Sequence, residues 1–191
     1  GAHTALPLLG MTLPEFAKQR LPRNAPIPGG GHDHADGTPL RTPQQHRDFI
    51  AVVSESLEAG CEEARQVVRM LDITYETRPI GASTWTVPEA SGNFCDRGGR
   101  FGAHSTQEFP TPIYYGRVLF VTFFNAGVRA LDIRDPFNMK EIGYYIPAVT
   151  ANTEQRCLES DPKNCKIAIQ SNNVEVDDRG YVYVGDRANT G

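Results

Sequence analysis

The sequence lacks the features that mark several common classes of protein. No stretch reaches the roughly 18 consecutive apolar residues of a membrane-spanning helix. Lysine is scarce, because only four of the 19 basic residues are Lys, and no run of basic residues occurs. With a net charge of −4, the chain is a poor partner for nucleic acid or for an anionic membrane. We therefore expect neither a nucleic-acid partner nor a transmembrane segment.

Motifs of nucleotide binding and of serine catalysis are absent too. The glycine-rich stretches contain neither GxxxxGK[ST] nor GxGxxG between a strand and a helix. Ser105 follows His104, but no GxSxG turn surrounds it, so it is not a nucleophile of the hydrolase type. What the sequence does contain is 14 Pro and 18 Gly, a content that suits a turn-rich protein.

The four cysteines offer a framework of two disulfides. Four cysteines allow three pairings, and sequence alone does not choose between them. The short loop between Cys157 and Cys165 contains Asp161-Pro162, which can turn the chain back, and this favours that pair. Cys61 is then left with Cys95. Two disulfides predict a periplasmic or extracellular protein, and the alternative is four unpaired thiols in a cytosolic protein.

A repeat organises the chain. The segment GVRALDIRDP at residues 127–136 occurs earlier as QVVRMLDITY at residues 66–75, with an offset of 60. GRVLFV at residues 116–121 recurs as GYVYVG at residues 180–185, with an offset of 64. A period near 60 is typical of stacked supersecondary units. The positions that match in the first pair are Val68, Arg69, Leu71, Asp72 and Ile73 against Val128, Arg129, Leu131, Asp132 and Ile133.

The repeat predicts an all-β fold with four strands in each unit. The strand VLFVTFF at residues 118–124 is apolar on both alternating faces, so we expect a sheet that is covered on both sides, as in a blade of a β-propeller. A two-turn helix is expected over residues 14–20. The predicted parts are an N-terminal strand, helix and Pro/Gly/His-rich insertion (1–48), a first clear blade (49–88), a second blade (89–147), and a loop with a partial third blade (148–191).

GVRALDIRDP followed by KEIGYYIP resembles the LVIVD repeat, a family of bacterial and archaeal β-propellers found mostly on secreted or surface proteins. The resemblance covers residues 49–191 and is strongest over residues 93–147. It implies a propeller fold and an extracytoplasmic location, and little about activity. Propellers have roughly four to eight blades, so a protein partner or the remainder of the propeller is expected to complete the ring.

Two histidines precede equivalent strands. GAHT at residues 1–4 matches GAHS at residues 102–105, which places His3 and His104 before the first strand of a unit. First strands line the channel of a propeller, where imidazoles can hold a transition metal, as in the selenium-binding-protein-like oxidases that place histidines there. The third copy has Gln170 and Asn172 instead. The alternatives are that each histidine hydrogen-bonds a neighbouring strand and maintains blade register, or acts as a general base.

The insertion offers a second pair of histidines. GGGHDHADG at residues 29–37 contains His32 and His34, whose HxH spacing can chelate zinc or copper. If the insertion folds over the channel mouth, these two histidines would complete a site with His3 and His104. Such loops are otherwise simply solvated.

The sequence as a whole predicts an extracytoplasmic propeller that acts as a binding or interaction module. The alternative is a metal-dependent, oxidase-like enzyme with copper, zinc or iron at His3, His104, His32 and His34. The repeated Asp72 and Asp132 are interpreted as turn residues rather than as catalytic acids.

Overall fold

The structure, a computed structural model, describes residues 2–13 and 46–191. These residues form an all-β fold of antiparallel sheets, the class that the repeat predicts, with two short 3₁₀ helices at Glu89–Ser91 and Phe94–Asp96. The strands are β1 (Ala2–Thr12), β2 (His46–Ser54), β3 (Val68–Asp72), β4 (Ile80–Trp85), β5 (Val118–Thr122), β6 (Val128–Asp132), β7 (Lys140–Tyr145), β8 (Gln155–Cys157), β9 (Cys165–Ile167), β10 (Ser171–Val176) and β11 (Val182–Asp186).

The first sheet has four strands in the order β1-β2-β3-β4. Phe49, Ala51 and Val53 of β2 are fully buried, and the residues between them are partly exposed. Val68 and Met70 continue the same buried face on β3. This alternation follows from the pleat, which sends successive side chains to opposite faces of a strand. One face of the sheet therefore belongs to the core.

The second sheet, β5-β6-β7, repeats the register of β2-β3-β4. Phe49 pairs with Asp72 in the first sheet and Val118 pairs with Asp132 in the second, so both copies of the repeat occupy the same strand position. Residues 104–106 lie next to β5 through the His104 N–H bond to the Thr122 carbonyl and an isolated bridge at Thr106. They take the place of β1, although as an irregular segment rather than a regular strand.

The last part of the described chain contains two hairpins. β10 pairs with β11, and Ser171 at the start of β10 bridges to Phe124, which joins this hairpin to the second sheet. β8 and β9 form a short hairpin that the disulfide between Cys157 and Cys165 closes. Among the described residues, none of the sheets closes on itself.

The core lies between the first and second sheets. The Trp85 ring of β4 packs edge to face on Phe123, with 5.3 Å between centroids, and Phe94 stacks on Phe101 at 5.1 Å. The disulfide between Cys61 and Cys95 crosses the same boundary. No helix in the described residues is long and apolar enough to cross a membrane.

The strand expected at residues 118–124 is present as β5, which ends at Thr122. The N-terminal strand expected within residues 1–48 is present as β1, and it pairs along most of β2. The helix expected over residues 14–20 lies outside the described residues.

Candidate functional site

Three segments from different sheets, namely β1, residues 104–106 and β10, are linked through polar contacts. The Thr106 N–H donates to the Thr4 hydroxyl at 3.2 Å, which joins the first sheet to the second. The Asn172 carbonyl accepts from the hydroxyls of Ser105 at 2.8 Å and Thr122 at 2.7 Å, which joins the second sheet to β10. These contacts involve buried or partly buried groups, so they determine how the three units align.

The three segments share one register. In each segment, one residue lies opposite a matching residue of the neighbouring strand. His3, His104 and Ser171 each come two residues before that residue in the sequence. The third unit therefore offers a hydroxyl where the other two offer an imidazole. The pairs that establish this equivalence are Ala5 with Val52, Thr106 with Val121, and Asn173 with Gly185.

His104 is the buried member of this set. Its side chain is 5% exposed, and its Nδ1 lies 2.5 Å from the Asn172 carbonyl. A carbonyl only accepts, so Nδ1 carries the proton and donates, and Nε2 keeps its lone pair. Burial lowers the pKa of His104, and neighbouring His3 and Arg187 lower it further, against the opposing effects of the Asn172 carbonyl and Glu55. The ring is therefore neutral near pH 7.

His3 and Glu55 meet this buried ring. The His3 ring is exposed and lies 4.2 Å from the His104 ring between centroids. Glu55 directly follows β2, and its Oε1 is 3.6 Å from His104 Nε2. One ligand atom from each of these three residues lies within 4.8 Å of the other two. We call His3, Glu55 and His104 the histidine cluster.

Two arginines also hold the carboxylate of the cluster. Arg100 Nη1 lies 3.2 Å and Arg187 Nη1 lies 3.4 Å from Glu55 Oε1. Both guanidiniums lie over the ring of Phe124, which is fully buried, has a φ of 42° and packs against His104. A bulky side chain at positive φ is strained, and such strain tends to occur at functional sites.

The cluster contains side-chain types that metal sites use. Imidazole and carboxylate groups can bind zinc, copper or iron, and the bond from His104 Nδ1 to a carbonyl orients that ring as an outer-shell partner does in metal sites. A second group, Cys61, Glu89 and Cys95, has similar proximity. Its two sulfurs are bonded to each other, so it offers no thiolate.

The structure brings together two of the four histidines that the sequence singles out. His3 and His104 are in contact, whereas His32 and His34 lie outside the described residues. The hydrogen bond from His104 to Asn172 also matches the alternative role expected for it, contact with a neighbouring strand. Asn172 contributes through its backbone. Gln170 is buried and its amide oxygen accepts from the Arg100 N–H, so it takes no part in the cluster.

Sequence reasoning missed Glu55, although a signal for it exists. Glu55 follows a predicted strand, and an antiparallel hairpin brings the end of β2 beside the start of β1, where His3 lies. That topology would have placed a carboxylate near the histidine. Arg100 and Arg187 reach Glu55 from loops distant in sequence, and no local pattern predicts that meeting.

Comparisons with protein-family models, with curated proteins and with solved structures find no match to this chain.

Proposed function

We propose that this chain is part of an extracytoplasmic β-propeller that acts as a binding module, and that the histidine cluster is its ligand site. Two consecutive sheets with one register, and a third unit that begins in the same way, support the propeller reading and the resemblance to the LVIVD repeat. The two disulfides, which include all four cysteines, support an oxidising location, either periplasmic or extracellular.

The observation that carries the proposal is the convergence of His3, Glu55 and His104 with their ligand atoms within 4.8 Å. His104 presents an unprotonated Nε2 because its other nitrogen donates to a carbonyl. This arrangement favours a transition metal ion as the ligand, with copper, zinc or iron as candidates. His32 and His34 are further candidate ligands from the sequence.

Titration with zinc and with copper tests the proposal. Wild-type protein is expected to bind close to one equivalent. His3→Ala and Glu55→Gln should each weaken binding tenfold or more, because the loss of even an outer-shell partner of a metal ligand costs about 10–100-fold in affinity. His46→Ala is the matched control, because His46 is an exposed histidine on the strand next to β1 and, among residues 2–13 and 46–191, its ring contacts the Thr12 hydroxyl rather than the cluster. The double variant of His32 and His34 measures whether the insertion contributes.

Equal weakening by His3→Ala and His46→Ala would contradict the assignment, as would wild-type protein that binds neither metal in equimolar amounts. Arg187→Gln gives a second readout. Arg187 competes with a cation for Glu55, so its removal should tighten metal binding.

A metal-dependent, oxidase-like enzyme is the second candidate function. Three protein ligands leave an open position on a four-coordinate ion, as catalytic sites require. Copper-loaded protein would then consume oxygen with a thiol or another reductant faster than its Glu55→Gln variant does. Equal rates of oxygen consumption by the two proteins would contradict the enzyme function and leave metal binding as the proposal.

A further inference from the structure

A cleft of about 260 Å³ adjoins the histidine cluster, because two arginines that contact Glu55 also line it. Arg100, Arg156 and Arg187 line it, together with the exposed carboxylate of Glu159. The backbone of Gly99 and the buried amide of Gln170 contribute to its wall. The lining itself carries three guanidiniums and one carboxylate, and the carboxylates of Glu55 and Glu154 contact these guanidiniums from outside the lining. We call this site the arginine cleft.

Each arginine of the cleft is held by polar contacts. Arg100 Nη1 and Arg187 Nη1 bond the Glu55 carboxylate at 3.2 and 3.4 Å. Arg156 Nη2 donates to the Arg187 carbonyl at 2.6 Å, and its Nη1 donates to Glu154 at 2.9 Å. Long side chains that are already ordered lose less conformational entropy when a ligand binds. The cleft is therefore organised before any ligand arrives.

Several donors of these guanidiniums are unused. Within residues 2–13 and 46–191, the Nε and Nη2 atoms of Arg100 and of Arg187 make no hydrogen bond. A guanidinium presents its N–H groups as a planar fork that matches the two oxygens of a carboxylate or phosphate. Glu55 pairs with the Nη1 atoms, so it orients both side chains without using their remaining donors.

We propose that the arginine cleft binds a small oxyanion, the phosphate or carboxylate group of a ligand. Its volume of about 260 Å³ is below the usual size of sites for drug-sized ligands, roughly 300–1,000 Å³, so a single anionic group fits it best. Glu159 on the lining repels a second negative charge and accepts from a hydroxyl. This site needs no metal, and it stands apart from the function proposed for the histidine cluster.

Calorimetric titration of chelator-treated protein at low salt tests the cleft, with inorganic phosphate in one arm and acetate in the other. Wild-type protein is expected to bind at least one of them saturably, and the tighter anion identifies the ligand class. Arg187→Gln should weaken binding tenfold or more. Arg134→Gln is the matched control, because Arg134 is also exposed and pairs with a carboxylate, Asp132, outside the cleft. Its binding should equal that of the wild type.

Glu159→Gln supplies a test in the opposite direction, because removing a negative charge from the lining should tighten anion binding. His3→Ala should leave anion binding unchanged even if it abolishes metal binding, which separates the two sites. Absence of saturable binding of both anions by wild-type protein would overturn the proposal. So would equal weakening in Arg187→Gln and Arg134→Gln, since that result reflects overall charge alone.

Discussion

Among single residues, Asp72 and Asp132 occupy the same position of the repeat but have different environments. Asp72 is buried, accepts from the Thr74 N–H at 2.9 Å and pairs with Arg47 at 2.5 Å. Asp132 makes the equivalent turn bond to the Arg134 N–H at 3.0 Å, but its partner side chain is 70% exposed. Both are turn residues, as the repeat indicates, because an Asp carboxylate can accept from the N–H two residues on. Of the two aspartates, only Asp72 is itself buried while it pairs with an arginine.

Asp72→Asn is therefore expected to cost more stability than Asp132→Asn. We expect about 1–3 kcal/mol for losing the charged hydrogen bond of Asp72, against about 0–1 kcal/mol for the exposed pair of Asp132. Urea denaturation at neutral pH measures both. A larger loss for Asp132→Asn would contradict the assigned environments.

The loss of stability in Asp72→Asn should also depend on pH. Burial tends to raise the pKa of Asp72, but hydrogen bonds from Thr74 and the pair with Arg47 outweigh it, so the folded pKa lies below the unfolded value of 3.8. A lowered carboxylate pKa stabilises the fold fully above the unfolded value, and that stability is lost as the pH falls through the folded pKa. The gap in unfolding free energy between wild type and Asp72→Asn should narrow below pH 3.8. A gap that stays constant would assign the cost to packing alone.

Among the elements, β3 and β6 are equivalent strands of the repeat in different sheets, and their matching arginines have different environments. Arg129 of β6 is 4% exposed, donates twice to the Ala126 carbonyl at 3.0 and 2.8 Å, and lies over the Tyr144 ring. Arg69, its counterpart on β3, makes one bond to the Ser54 hydroxyl at 2.6 Å. The five-residue connection between β5 and β6 brings the Ala126 carbonyl within reach, whereas a much longer connection follows β2.

Arg129→Met should accordingly destabilise the protein more than Arg69→Met. We expect about 2–4 kcal/mol for Arg129, which also donates to the Glu141 carboxylate at 3.3 and 3.4 Å, and about 0.5–1.5 kcal/mol for the bond of Arg69 to Ser54. The measurement is the shift of the urea midpoint at an unchanged m-value. Equal shifts would show that the buried contacts of Arg129 carry no additional stability.

At the level of the whole molecule, the sheets are joined by loops as well as by core packing. The Cys61–Cys95 disulfide links the long β2–β3 connection to the segment before the second sheet, where the Gly60 N–H also bonds the Gly99 carbonyl at 2.9 Å. The Cys157–Cys165 disulfide closes only the β8–β9 hairpin. The Cys61–Cys95 disulfide therefore constrains how the first and second sheets are arranged, whereas the Cys157–Cys165 disulfide constrains a single hairpin.

Replacing Cys61 and Cys95 by serine should cost more stability than replacing Cys157 and Cys165. The sequence separations of 34 and 8 correspond to about 4 and about 2.5 kcal/mol of loop-closure entropy in the unfolded chain. Thermal and urea unfolding of the two double variants measures the difference. The reverse order would indicate that structure remaining in the unfolded state outweighs loop length.

The sequence by itself determined the strand class and the repeat, because alternating apolar residues and a recurring LDI segment are local properties of the chain. It also favoured the two disulfides, since a short loop with Asp161-Pro162 leaves one pairing for the others. It placed His3 and His104 at matching positions through the GAH motif.

Only the tertiary structure decided what these residues meet. Glu55, Arg100 and Arg187 converge from three loops separated by many residues, and such convergence depends on how sheets pack, which no local pattern encodes. Trp85 packs on Phe123 between the sheets, whereas Tyr144 and Tyr145 are more than half exposed among the described residues. The physical reason is common to both cases. Side-chain chemistry is local, but burial and partnership depend on contacts between distant parts of the chain.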